Sequence, residues 1–179
     1  MRRQSVRKFA SAKGKRVKAA PSYGKAALGI AVTALILVVV LVNLFTFVFS
    51  IVNYYGNGME PTLQDRQTLV IRKTEQVEEG DMIAFYYNNK ALVRRVICAG
   101  GKMITINDTG LVTIDGEPLE EPYVEDPSLG QCNLTFPYNV PAGQYFVMGD
   151  NREIAMDSRL SEIGTISSDR ILGKVIFVI

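Results

Sequence analysis

Residues 80–101 read GDMIAFYYNNKALVRRVICAGG. Two runs dominated by β-branched and aromatic residues, 82–87 and 91–97, flank the turn-forming YNNK. That composition favours extended chain, and three or four connecting residues predict a β-hairpin. The two-residue period of a strand puts Leu92, Arg94 and Val96 on one face and Val93, Arg95 and Ile97 on the other. An arginine on each face is unusual for a strand that only fills a core.

The same signature recurs outward from the hairpin. TLVIRK (68–73), MITI (103–106), LVTI (111–114), QYFVM (144–148) and KVIFVI (174–179) are short runs of strand-forming residues. EEGD, NDTG, DGEP and PAGQ punctuate them as turns. The section 102–141 holds a second hairpin, MITINDTGLVTIDG, and then the acidic, proline-bearing EPLEEPYVEDPSLG, and is read as an inserted subdomain. The one helical candidate in this part is SSDRIL, at 167–172.

The chain changes character before Asn53. Residues 26–52 form 27 positions without a formal charge. As a helix they would run about 40 Å, enough to cross a hydrocarbon core of about 30 Å. The run is too long for a signal-peptide core and no A-x-A site follows it, so an uncleaved transmembrane anchor is expected. Tyr54 and Tyr55 fall where an interfacial aromatic belt would lie. Nine of the 20 basic residues sit in residues 1–25, which carry no acid; residues 26–179 keep 11 bases against 18 acids, a net charge of −7. The basic tail is read as a cytoplasmic topology signal rather than a nucleic-acid site, placing 53–179 outside the cytoplasm.

Composition removes several chemistries. There is no histidine, which excludes a Ser-His-Asp triad, a Cys-His dyad and His-based zinc sites. Cys98 and Cys132 alone cannot form a structural zinc site; they are either one disulfide or two separate thiols. No phosphate-binding glycine loop, cofactor motif or metal site is expected.

Four features occur in order: the single anchor, GMEPTL at 58–63, the hairpin with its CAGG end, and GDNREIAMDSRLSEIG at 149–164. Together they resemble bacterial type I signal peptidases, membrane-anchored proteases that remove signal peptides by a serine–lysine dyad. The resemblance implies a mostly β fold, with one N-terminal transmembrane helix followed by an extracytoplasmic domain of coiled β-sheets carrying a small β-rich insertion. It places the nucleophile at the residue before Met in the loop after the anchor and the base on the Arg-rich strand. A neutral lysine would take the hydroxyl proton, and the loop N–H would face the oxyanion.

This chain departs from that pattern at three connected positions. Gly58 stands at the nucleophile position, Arg94 at the base position and Ala155 where a serine orients the base. Arg95 matches the family arginine, and Met59 and Pro61 are expected to shape the loop near substrate. Gly149, Asp150, Asn151, Arg152, Asp157, Ser158 and Arg159 keep the frame, with Asp157 and Arg159 expected to pair and Arg94 expected to pair with Asp157 or another acid, or with a partner's carboxylate. The resemblance therefore implies an inactive member that binds exported preproteins or pilin subunits, with a sortase as a further partner. The rival is an active peptidase with relocated chemistry on Ser158 or Ser161 and Lys102. A third reading is a structural envelope subunit with a filled groove.

Overall fold

The computed structural model describes residues 23–179. Most of the basic tail assigned to 1–25 therefore lies outside the described residues. The first element, α1 (Tyr23–Val48), is apolar all round, and its side chains from Ala26 to Phe47 are exposed. A helix with no polar face suits a lipid surround. Its stretch Ala26–Val48, 23 residues, is long and apolar enough to cross a membrane. Thr33 and Thr46 return their hydroxyls to the carbonyls of Gly29 and Asn43, so neither is left as a bare donor.

The apolar run does not stay helical to residue 52. It divides at Val48, and Phe49–Asn53 becomes strand β1. β1 pairs antiparallel with β2 (Thr68–Arg72) from Phe49↔Arg72 to Asn53↔Thr68. Lys73 closes the junction, donating its backbone N–H to Val48 O and its ammonium to Thr46 O, both at 2.9 Å. Tertiary pairing, absent from any local pattern, converts the last four residues of the uncharged run from helix to strand.

The remaining strands are β3 (Met82–Tyr87), β4 (Lys90–Ala99), β5 (Met103–Ile106), β6 (Val112–Ile114), β7 (Glu117–Pro118), β8 (Tyr138–Asn139), β9 (Gln144–Met148), β10 (Ile166–Ser167) and β11 (Ile171–Val178). Residues 42–179 form one compact unit built on two open sheets. The larger has seven strands in the order β1-β2-β11-β3-β4-β9-β10, and the smaller has four in the order β7-β6-β5-β8. The protein is thus mostly β, with an apolar N-terminal helix. The helical candidate at 167–172 reduces to a single 3₁₀ turn, Ser168–Arg170, before β11.

The hairpin β3–β4 sits inside the larger sheet, with Met82↔Arg95 and Tyr87↔Lys90 at its ends. Its loop is two residues, Asn88 and Asn89, with φ of 47° and 59°. Asparagine tolerates that left-handed backbone, which matches the twist of the flanking strands. Both faces of this sheet are buried. Ala84 and Val93 join Met59, Leu63 and Ile71 in one cluster, while Ile83, Phe85 and Val96 join Val147, Ile163 and Ile166 in another. A third cluster, including Ile97, Ile104, Val112 and Phe146, fastens the smaller sheet to the larger one. Burial on two faces explains why these strands read as nearly continuous apolar runs.

Candidate functional site

Strand pairing assembles the site. Arg95 of β4 lies opposite Met148 of β9, so the segment that follows β9, GDNR, begins beside the two arginines. The loop after β1 approaches the same place. Its ends are tied by Tyr54 N–H to Gln67 O and Arg66 N–H to Tyr54 O, at 2.8 and 2.9 Å. Tyr54 is buried, and its hydroxyl accepts the Met59 N–H at 3.0 Å. That corrects the expectation of a Tyr54–Tyr55 membrane belt. Only Tyr55 is exposed, because the Tyr54 ring packs with Met59, Leu63 and Leu69. Burial raises the Tyr54 phenol above its ordinary pKa, against the lowering effect of the Met59 hydrogen bond.

Two of the three departures from the family pattern, Gly58 and Ala155, meet at Gly149. A Cβ placed on Gly149 would stand 2.3 Å from Gly58 O and 2.3 Å from Ala155 Cβ. Only a glycine allows the backbone of 58 and the side chain of 155 to come so near. Asn151 N–H donates to Gly58 O at 3.2 Å and fixes the loop. Gly58 in turn faces Arg94: a Cβ at position 58 would be 3.1 Å from Arg94 Nη2. Arg94 is held by Nε to Met156 O at 2.9 Å and Nη1 to Val93 O at 2.6 Å. Position 58 offers no side-chain atom, and position 94 offers a fixed cation.

Four buried arginines surround this point, and three have acids. Arg95 binds Asp150 through Nε at 2.8 Å and Nη2 at 2.5 Å, with its guanidinium 4.0 Å from the Tyr123 ring centroid. Thr62 hydroxyl also donates to Asp150, at 2.5 Å. Arg152 makes a two-pronged pair with Glu121. Arg159 binds Asp157 through Nε at 2.8 Å and Nη2 at 2.7 Å, with both side chains fully buried. Asp157 spends its remaining capacity on the backbone N–H groups of Gly149 and Arg159.

Arg94 is the exception. No carboxylate among the described residues lies within 4.0 Å of its nitrogens. The expected Arg94–Asp157 pair does not form, because Arg159 already saturates Asp157. Burial pushes the Arg94 guanidinium below its ordinary pKa, and the field of Asp157 opposes the shift. Guanidinium nevertheless keeps its proton in proteins, so this is a buried cation without a counter-ion.

Gly58 and Arg94 open on a cavity of about 850 Å³. Tyr87, Leu92, Ile154 and Met156 give it an apolar wall, and Lys90 adds a second cation. Other expected groove residues lie elsewhere. Met59 is wholly buried in the core, and Pro61 lines a separate depression with Glu60, Gln64 and Glu125. The relocated-chemistry residues are differently engaged. Ser158 is buried and accepts the Val147 N–H at 3.0 Å, Ser161 is exposed, and Lys102 is held by both oxygens of Glu79 at 2.8 and 2.9 Å. The Glu79 hydrogen bond raises the Lys102 pKa, which is the wrong direction for a base.

Thr62, which the sequence marks as a structural member of the PTL element, completes the arginine frame together with Glu121 and Tyr123, which the sequence does not mark. The signal available was the acid and aromatic pair in EEPYVED, which was read as part of an insertion. Both cysteines are free thiols. Among the described residues, no group of three or more His, Cys, Asp or Glu is placed to hold a metal ion.

A β-rich domain after an apolar helix, with RR, GDNR and DSR tied together by strand pairing and buried ion pairs, defines a signal-peptidase-like protein. The chain belongs to that family: residues 27–179 match the family described as "Signal peptidase, peptidase S26". It is similar to signal peptidase I T of Bacillus subtilis (strain 168), 35% identical over 164 residues, covering 84% of this chain and 82% of the relative. Signal peptidase IB of Staphylococcus aureus is 34% identical over 143 residues, covering 68% of this chain and 73% of the relative. A solved signal peptidase I from Enterococcus faecalis V583 is 28% identical, with a TM-score of 0.46, covering 57% of this chain and 97% of that one. The family and the apolar helix together describe a membrane-anchored protein.

Proposed function

We propose that this protein binds exported chains in a signal-peptidase-like groove without cleaving them. One observation carries the reading: at the positions where the resemblance requires an attacking oxygen and a proton acceptor, Gly58 faces the Arg94 guanidinium. Glycine supplies no atom that can add to a carbonyl. A protonated arginine cannot relieve any neighbouring hydroxyl of its proton. Loss of the nucleophile alone costs about 10⁶ in turnover in a serine protease. Ala155 in place of the orienting serine removes a third member of the same chemical unit. The retained arginine frame and open cavity support a binding role.

In this reading residues 1–25 stay in the cytoplasm, 26–52 contain the anchor, and 53–179 work outside, with 102–141 as a subdomain on the main sheet. The occupants are exported preproteins or pilin subunits, and a sortase is the natural co-worker, by analogy with inactive members of the family. The direct test is incubation of the full chain, in micelles, with an exported preprotein. Photo-crosslinking from the cavity rim is expected to capture the preprotein, and mass spectrometry is expected to find it uncut. Cleavage that disappears on Ser158→Ala would establish the relocated peptidase instead. Unchanged assembly of surface polymers in a deletion strain would remove the pilin part of the reading.

A further inference from the structure

The charge balance around the cavity is incomplete. Arg95, Arg152 and Arg159 each hold an acid, whereas Arg94, only 5% exposed, holds two carbonyls and no acid. Its Nη2 faces Gly58, whose own N–H has no acceptor among the described residues. The cavity lining contains Arg94 and Lys90 and not one aspartate or glutamate. Taking a cation out of water without a directly paired counter-ion is costly; the fields of Asp157 and Asp150 offset part of that cost, and an entering anion would recover more. The apolar wall of Leu92, Ile154 and Met156 suits an apolar peptide better than a small hydrated ion, and Asn57 and Asn88 add polar groups for the peptide's backbone.

The geometry points to a carboxylate-binding subsite: the cavity takes an apolar peptide segment whose carboxylate sits on Arg94 beside Gly58. This rests on the groove-binding reading above and specifies its ligand. The carboxylate has two sources, a peptide's free C-terminus or an Asp or Glu side chain within a continuous chain. An active dyad site has no use for a fixed cation there. Replacing serine by glycine leaves the cation's open face bare, so the same exchange that removes the nucleophile exposes an anion receptor. Planar guanidinium matches a carboxylate in a way an ammonium does not.

Calorimetric titration of the full chain in micelles tests this with short Ala- and Leu-rich peptides in three forms. The first ends in a free carboxylate, the second in an amide, and the third in an amide with one internal Glu. At least one carboxylate form is expected to bind about tenfold or more tightly than the plain amide, the usual weight of a charge-assisted hydrogen bond. Which form wins identifies the source. The preference is expected to vanish in Arg94→Gln and to fall as the peptide carboxylate is protonated, near pH 3.5 for the free C-terminus and about 4.3 for the internal Glu. Equal binding of all three overturns the subsite while leaving a peptide groove in place. A preference that survives in Arg94→Gln overturns the assignment to Arg94. Binding of none defeats the groove itself. Should Arg94→Gln not fold, the three-way comparison on the wild-type chain still decides.

Discussion

The Arg94 guanidinium lies against the Gly58 backbone, with Nη2 3.1 Å from the point any Cβ at position 58 would occupy. The two residues are therefore coupled. A Cβ at 58 requires the guanidinium to give by a few tenths of an ångström, and a shorter residue at 94 makes room for one.

That coupling sets the first prediction. Gly58→Ser alone crowds Arg94 and is expected to lower the melting temperature without producing cleavage. Arg94→Lys alone also stays inactive, since no oxygen attacks. The double variant is expected to lose the crowding penalty, a non-additive result for touching residues. With Ala155→Ser added to orient the base, it should process a signal-peptide substrate measurably by mass spectrometry. No turnover from the triple variant would mean that groove shape, and not only its chemistry, differs from an active peptidase.

Asp157→Asn removes the charge from a fully buried ion pair. It leaves Arg159 without its acid and deprives Arg94 of its largest favourable field. Breaking a buried pair on one side costs about 3–5 kcal/mol. Urea unfolding of the full chain in micelles, followed by near-ultraviolet dichroism, should register a loss of that size. A loss below about 1 kcal/mol would show that the pair is not a brace.

Gly149→Ala drives a methyl into Gly58 O and Ala155 Cβ, both 2.3 Å from its position. Relief requires the Gly58 loop to move off, lengthening the Asn151–Gly58 hydrogen bond. Overpacking of this kind costs about 1–3 kcal/mol. Hydrogen exchange at the Asn151 amide should accelerate; unaltered exchange would contradict the packing described.

Cys98 is wholly buried, and burial lifts its thiol from an ordinary 9.0 to about 11. Folding therefore favours the protonated form. The resulting stability is fully present below pH 9 and is lost as pH rises toward 11. Iodoacetamide at pH 8 should modify the native chain slowly at Cys98 and rapidly after unfolding, as read by peptide mapping. Fast labelling of the native thiol would refute the burial.

Much of the fold was legible. The strands at 82–87, 103–106 and 144–148 were read with their observed limits, because buried strands advertise themselves through β-branched and aromatic density. β1 was not legible. Residues 49–52 are as apolar as the helix before them, and only pairing with β2 distinguishes the two fates. Tyr54 failed for a related reason: a tyrosine after an apolar span suits either a membrane interface or a core, and the Met59 N–H decides between them. The Asp157–Arg159 pair was legible and forms as expected, but the acids that Arg152 and Arg95 hold were not. Glu121 is 31 residues from Arg152, and Asp150 is 55 from Arg95.

The amino-acid sequence alone determined which chemistry this chain can possess: no imidazole, no side chain at 58, a permanent cation at 94, and an apolar run long enough for a bilayer. These are properties of atoms present or missing, and folding cannot alter them. Tertiary structure alone decided the long-range charge pairs, Arg95 with Asp150 and Arg152 with Glu121, because an ion pair depends on a few ångströms between residues distant along the chain. It also decided that Asp157, already saturated by its near neighbour Arg159, leaves Arg94 facing the cavity without an acid.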